Sequence, residues 1–234
     1  MATSNYIVKL NSKCNLNCCF CADDLIARSQ PDFDYDAMIN ELEKNRKEHE
    51  NLIISGGEPT IYPKLLNYLD HAKKVCKYEK IFLTTNATLL YNRQNAEKLI
   101  RHGVDTFLIS FSHGQDRLFD SIVKKEGTFG RVVQGIKNVK SLGKQVRINA
   151  VVHKLNYKQL PQMVEFFVSI GVDAIQLSFI NPVGTSVAPQ THGKSFLAIR
   201  YSEAMPFIRQ SFTVAKNLFF RIRRATSTEG TSRT

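Results

Sequence analysis

The sequence predicts an α/β protein of six parallel strands alternating with helices, laid out as an open doubly wound sheet or as a partial (β/α)6 barrel. Three observations predict it. The strand-like runs are short, continuous and rich in β-branched residues, as in Leu52–Ser55 and Val146–Val152, the pattern of strands buried in a parallel sheet. The segments between them carry apolar residues at helical spacing. Strand and helix alternate in succession, which right-handed crossovers turn into one of those two layouts.

The strands are expected, in order, over Tyr6–Leu10, Leu52–Ser55, Ile81–Thr85, Thr106–Phe111, Val146–Val152 and Ala174–Phe179. Between the first two, Tyr35, Met38, Ile39 and Leu42 share one helical face, with Asp34 in position to cap it. Met163, Phe167 and Ile170 form a later stripe that ends at Gly171. Gly103 and Gly143 also follow helical patterns, where a left-handed terminal residue is wanted. A short repeat supports the alternation. Gly103-Val104-Asp105 leads to Ser110, and Gly171-Val172-Asp173 leads to Ser178 at the same spacing. After the sixth strand, the polar stretch from Asn181 to Ser195 is expected to lie over the mouth of the site. A last helix is expected near Ser202 to Leu218. The domain expected is thus 1–220, followed by a disordered polar tail over 221–234, where nothing apolar remains from Ala225 onward.

At 234 residues, with 43% apolar and 23% charged residues, the chain has the makings of one globular domain. No apolar run approaches the roughly 20 residues that span a bilayer, and the first residues lack the pattern of a secretory signal. No membrane partner is expected, and the expected location is the cytoplasm. The net charge of +11 raises nucleic acid as a partner, but no aromatic-basic RNA-binding motif accompanies it. Solvated helix faces are the favoured explanation of the charge.

Four of the five cysteines fall between Cys14 and Cys21, in the loop after the first strand. Such an intracellular cluster reads as a metal site and not as a disulfide framework. Cys14, Cys18 and Cys21 have the spacing C-x3-C-x2-C. Three thiolates on one loop can hold three irons of a cubane and leave the fourth open to a small molecule. A four-cysteine zinc site is the alternative, but adjacent Cys18 and Cys19 point poorly for a tetrahedron. Cys76 lies on the apolar stripe Leu65, Leu69, Ala72 and is expected as a core thiol.

The loop from Cys14 to Cys21, with the aromatic Phe20 before its last cysteine, resembles the signature of the radical S-adenosylmethionine (SAM) superfamily. Ser55-Gly56-Gly57-Glu58-Pro59, at the end of the second strand, is similar to the family's GGEP segment. The resemblance covers about the first 180 residues, nearest the branch of molybdenum-cofactor-biosynthesis and peptide-maturing enzymes. It implies a partial (β/α)6 TIM-like barrel with an oxygen-sensitive 4Fe–4S cluster on Cys14, Cys18 and Cys21, and SAM at the C-terminal mouth. By the same pattern Cys19 is not a ligand. Gly56, Gly57, Glu58 and Pro59 would meet SAM, joined by Thr85 and Asn86 after the third strand, Ser110 after the fourth and Asn149 on the fifth. The activity implied is reductive cleavage of SAM to a 5′-deoxyadenosyl radical that takes hydrogen from a peptide or small-molecule substrate. An electron donor such as flavodoxin or ferredoxin is implied with it. No catalytic side chain beyond the cofactor ligands is implied. An RNA-modifying enzyme, or a non-catalytic zinc or iron–sulfur module, is the alternative. His113 and Asp116 are expected on a solvated loop, and Arg131 and Arg147 are candidate carboxylate anchors.

Overall fold

A computed structural model describes residues 4–22, 29, 31, 33–180 and 197–228, the last of these, from 219 on, as backbone alone. Six strands form one all-parallel sheet: β1 (Asn5–Lys9), β2 (Asn51–Ser55), β3 (Lys80–Thr85), β4 (Thr106–Ser110), β5 (Gln145–Val152) and β6 (Ala174–Phe179). They stand side by side in chain order, with β1 and β6 at the two edges. This is the partial (β/α)6 barrel. Each strand lies within a residue of its expected place, the usual scatter of element ends.

Among the described residues the α-helices are α1 (Tyr35–Arg46), α2 (Leu65–Asp70), α3 (Arg93–Arg101), α4 (Asp116–Val123), α5 (Thr128–Ser141), α6 (Leu160–Ser169) and α7 (Tyr201–Thr228). The Asp34 carboxylate caps α1 as expected, accepting the Ala37 N–H at 2.7 Å. The stripe on α1 buries Met38 and Leu42, and that on α6 buries Met163 and Phe167. The closing helix continues in its backbone to Thr228, beyond the Leu218 limit set by its apolar spacing. The stretch 181–195 and the tail from 229 on lie outside the described residues.

The helices cover one face of the sheet, where Leu52, Ile54, Ile81, Leu83, Phe107 and Ile109 are fully buried. The other face is concave and partly open, with Ile7 64% exposed. The strands are therefore not covered on both faces, as their apolar runs suggested, because the inner face is the wall of a hollow.

The Gly-Val-Asp repeat has a physical basis. Gly103 and Gly171 take φ of 102° and 81°, the left-handed turn that ends a helix. Each following valine is buried. Each aspartate then reaches back to the strand before it. Asp105 Oδ2 accepts the Ile81 N–H at 2.9 Å, and Asp173 Oδ2 accepts the Val146 N–H at 2.7 Å. A lysine seals each joint, Lys73 on Asp105 and Lys140 on Asp173. One αβ junction has been used twice.

Candidate functional site

The loop after β1 docks on the loop after β2. Leu10 N–H donates to Ser55 O at 2.9 Å, Gly57 N–H to Asn11 O at 2.8 Å and Glu58 N–H to Lys13 O at 2.8 Å, so the β1–β2 pairing runs on past the strands. A Cβ on Gly57 would stand 2.3 Å from Lys13 O, and one on Gly56 would stand 2.4 Å from Asn11 Oδ1. Both glycines are there so that the cysteine loop can lie against this backbone. The buried Asn11 side chain ties the two segments again, donating to Lys13 O and Glu58 O.

Glu58 turns away from the mouth. Its carboxylate is fully buried and accepts from Thr60 N, Thr60 Oγ1 and Thr85 Oγ1 on Oε1, and from Asn86 N at 2.6 Å on Oε2. Burial raises its pKa, opposed by those hydrogen bonds. The side chains of Glu58 and Thr85 thus bind the second strand's loop to the end of β3. Pro59 is buried at the start of a short 3-10 turn. The side chains of the motif's acid and proline are thus buried in the scaffold, and neither lines the cavity described below.

Asn86 completes the frame. Its Nδ2 donates to Asn15 Oδ1 at 2.8 Å and lies 3.8 Å from Cys14 Sγ, while its Oδ1 accepts from the Thr88 hydroxyl and N–H. Asn15 in turn donates to Thr88 Oγ1. From the other side the end of α4 holds the loop, with Asn17 N–H on Val123 O and Cys19 N–H on Ile122 O. Asn11, Asn15 and Thr88 went unnoticed in the sequence, since an isolated amide or hydroxyl carries no pattern.

Cys14, Cys18 and Cys21 line one cavity of about 440 Å³ together with Gly56, Gly57, Thr85, Asn86 and Ser110. Cys19 is not in its lining, and burial raises its thiol pKa. No histidine or carboxylate lines this cavity among the described residues. Nor are any three His, Cys, Asp or Glu residues there arranged to hold a single metal ion. A cubane asks for one thiolate on each of three irons, so its ligands stand farther apart than those of one zinc. Three cysteines lining one cavity, with no fourth ligand beside them among the described residues, fit the cluster with an open iron.

Asn149 does not line this cavity. It accepts from Ser178 Oγ at 2.8 Å and, with Arg147 and Gln176, lines a second hollow of about 400 Å³ lower in the barrel. Thr84 lines both. Arg147 lies 5.6 Å from the centre of the Phe82 ring on the concave face, whereas Arg131 lies over Tyr91 on the helical layer at 4.9 Å. His113 is buried, against the solvated loop expected for it. Its Nδ1 accepts the Gln115 N–H, and burial lowers its pKa. Asp116 is exposed and bonds the next backbone N–H. Cys76 is half-buried against the core.

The family described as "Radical SAM superfamily" matches residues 8–167. The tungsten-containing aldehyde ferredoxin oxidoreductase cofactor-modifying protein of Pyrococcus furiosus is 30% identical over 191 residues, covering 75% of this chain and 51% of that protein. A probable GTP 3′,8-cyclase of Sulfurisphaera tokodaii is 30% identical over 180 residues, covering 76% and 56%. This chain therefore spans about half the length of these curated relatives. Among solved structures, SuiB of Streptococcus suis bound to S-adenosylmethionine has a TM-score of 0.69 at 21% identity, over 90% of this chain and 48% of that one. Native anSMEcpe with bound AdoMet and a peptide has a TM-score of 0.74 at 17% identity, over 94% and 61%. These likenesses show the fold. Among the described residues no helix is long and apolar enough to cross a membrane.

Proposed function

As this chain belongs to the radical SAM superfamily, whose enzymes use a 4Fe–4S cluster and SAM, we propose that Cys14, Cys18 and Cys21 are its cluster ligands. Gly56, Gly57, Asn86 and Ser110 then form the wall against which SAM lies. One observation carries the reading: the three cysteines share a cavity with the Gly56-Gly57 backbone and with no fourth metal ligand among the described residues. With both groups bound, an electron from a flavodoxin or ferredoxin cleaves SAM to methionine and a 5′-deoxyadenosyl radical, which takes a hydrogen atom from the substrate. The chain's own work is positional. Glu58 and Thr85 hold the backbone of Asn86, Asn86 holds Asn15, and the loop stem lies on Gly57. The barrel wall keeps the radical from bulk water.

The substrate is a peptide or a small metabolite, and the second hollow lies next to the site, sharing Thr84 with it. Arg147 is the one charged side chain among the described residues lining that hollow, beside the amides of Asn5, Asn149 and Gln176. A guanidinium so placed favours a substrate bearing a carboxylate or phosphate. Relatives named for a nucleotide and for a cofactor, and a neighbour solved with a peptide, are compatible with such a group. The protein works in a reducing compartment, the cytoplasm.

The test is 5′-deoxyadenosine formation from anaerobically reconstituted protein given SAM and dithionite. Product lost in Cys14→Ala supports the reading. No product from protein holding full iron and sulfide would refute it.

A further inference from the structure

The ring of Phe20, the residue before Cys21, stacks on the imidazole of His153, with centroids 5.7 Å apart and planes at 26°. His153 follows the last residue of β5 and is fully buried. Two bonds fix it. Its backbone N–H donates to Asn156 Oδ1 at 2.9 Å, and its Nδ1 accepts the Leu155 N–H at 3.2 Å. A neutral imidazole accepting at Nδ1 carries its proton on Nε2. Asn156 is itself fully buried, and its Nδ2 donates to Ser112 O at 2.8 Å and Val151 O at 2.7 Å. The imidazole is thus fastened to the ends of β4 and β5, and belongs to the rigid barrel.

Phe20 belongs to the loop. The stem of that loop is held by Gly57 and Glu58, and its middle by the carbonyls of Ile122 and Val123. At the far end Cys21 N–H donates to Cys18 O at 3.2 Å, a bond within the loop, and the Phe20 ring beside it meets the barrel at His153. We propose that His153 is a positioning residue for Cys21: by seating Phe20 it sets the third thiol against Cys14 and Cys18. Its meaning for catalysis rests on the cluster reading above, whereas its effect on the loop does not. The ring suits the task because it stays uncharged. Burial and the neighbouring His113 push its pKa from 6.5 down to about 4, so at neutral pH a flat, neutral face meets the phenyl ring. An aromatic substitute should do as well, and an aliphatic one should not.

Amide hydrogen exchange on the protein before reconstitution reads the loop without any cofactor. In His153→Ala, exchange over Cys19–Ala22 should quicken about two- to tenfold, the worth of one aromatic pair, while β2 and β3 keep their protection. His153→Phe should restore the slow exchange. After reconstitution, the alanine variant should lose iron and sulfide to air faster than wild type, and the phenylalanine variant should not. Unchanged loop exchange in His153→Ala overturns the proposal. So does a His153→Phe loop as fast as that of the alanine variant, which would assign the effect to the Leu155 bond. Should His153→Ala fail to fold, Phe20→Leu decides, because Phe20 is half-exposed and its loss leaves the core intact. Quickened exchange there supports the seat, and unchanged exchange overturns it. A wild-type protein that fails to cleave SAM would sink the cluster reading and leave the exchange result standing.

Discussion

The two halves of the barrel are built differently. At the ends of β1, β2 and β3, buried polar groups are bonded into one frame: Asn11 to Glu58, Glu58 to Thr85 and Asn86, Asn86 to Asn15 and Thr88. On the concave side of β4, β5 and β6, Leu108 pairs with Arg147, Ser110 with Asn149 and Asn149 with Gln176, and their side chains look into open hollows. A buried polar group without a partner costs far more than one left to water, so the frame at the ends of β1 to β3 tolerates little change and the concave wall of β4 to β6 tolerates much, the buried bonds of Asn156 at the ends of β4 and β5 aside. That division suits a protein in which the cofactor's seat is constant and the substrate's is adjustable.

The largest effect that tests this contrast lies at the cysteines. Alanine at Cys14, Cys18 or Cys21 should abolish 5′-deoxyadenosine formation, a loss of more than about a hundredfold, while Cys19→Ala should spare it. Retained product in any of the first three would break the ligand assignment. Next comes Gly57→Ala, which drives a methyl group to 2.3 Å from a backbone oxygen. It should cost about 3 kcal/mol in urea unfolding and lower the iron bound after reconstitution.

Acid should reach the stack behind the loop with a similar magnitude. His153 stays neutral in the fold down to about pH 4 but takes a proton near 6.5 when unfolded. Its depressed pKa therefore gives stability that is complete above pH 6.5 and is lost as pH falls toward 4. The total is about 3 kcal/mol, and His153→Phe should flatten that part of the stability profile. A matched pair of amides then measures the two halves directly. Asn86→Ala should cost about 2 kcal/mol and Asn149→Ala less than about 1 kcal/mol, because Asn86 is buried among several partners and Asn149 is half-exposed and bonded to Ser178. Equal costs would erase the contrast. The smallest effect has the opposite sign. Gly130 lies exposed inside α5 with nothing within 4 Å of a Cβ, so Gly130→Ala should raise stability by about 1 kcal/mol.

Local pattern made much of this visible beforehand. Strand runs, helical stripes and the glycines at 103, 143 and 171 depend on neighbours in the chain, and the structure has them where they were expected. The repeated Gly-Val-Asp was visible as a coincidence of letters, and its aspartates turned out to bond the preceding strand. What escaped notice depends on pairing across long separations. Glu58 is visible in its motif, but that its carboxylate is buried against Thr60, Thr85 and Asn86 is not. His113 reads as a loop residue and is buried. His153 stood in no pattern at all.

The sequence by itself determined the fold class, the three cysteines on one loop and the family, because each is written in the spacing of residues close along the chain. Tertiary structure alone decided which motif side chains face the mouth, that Gly56 and Gly57 make room for another loop, and which arginine looks into the barrel. Those depend on a strand's twofold alternation and on which loop lies against which. Such placement is settled only when β1, β2 and β3 bring their ends together.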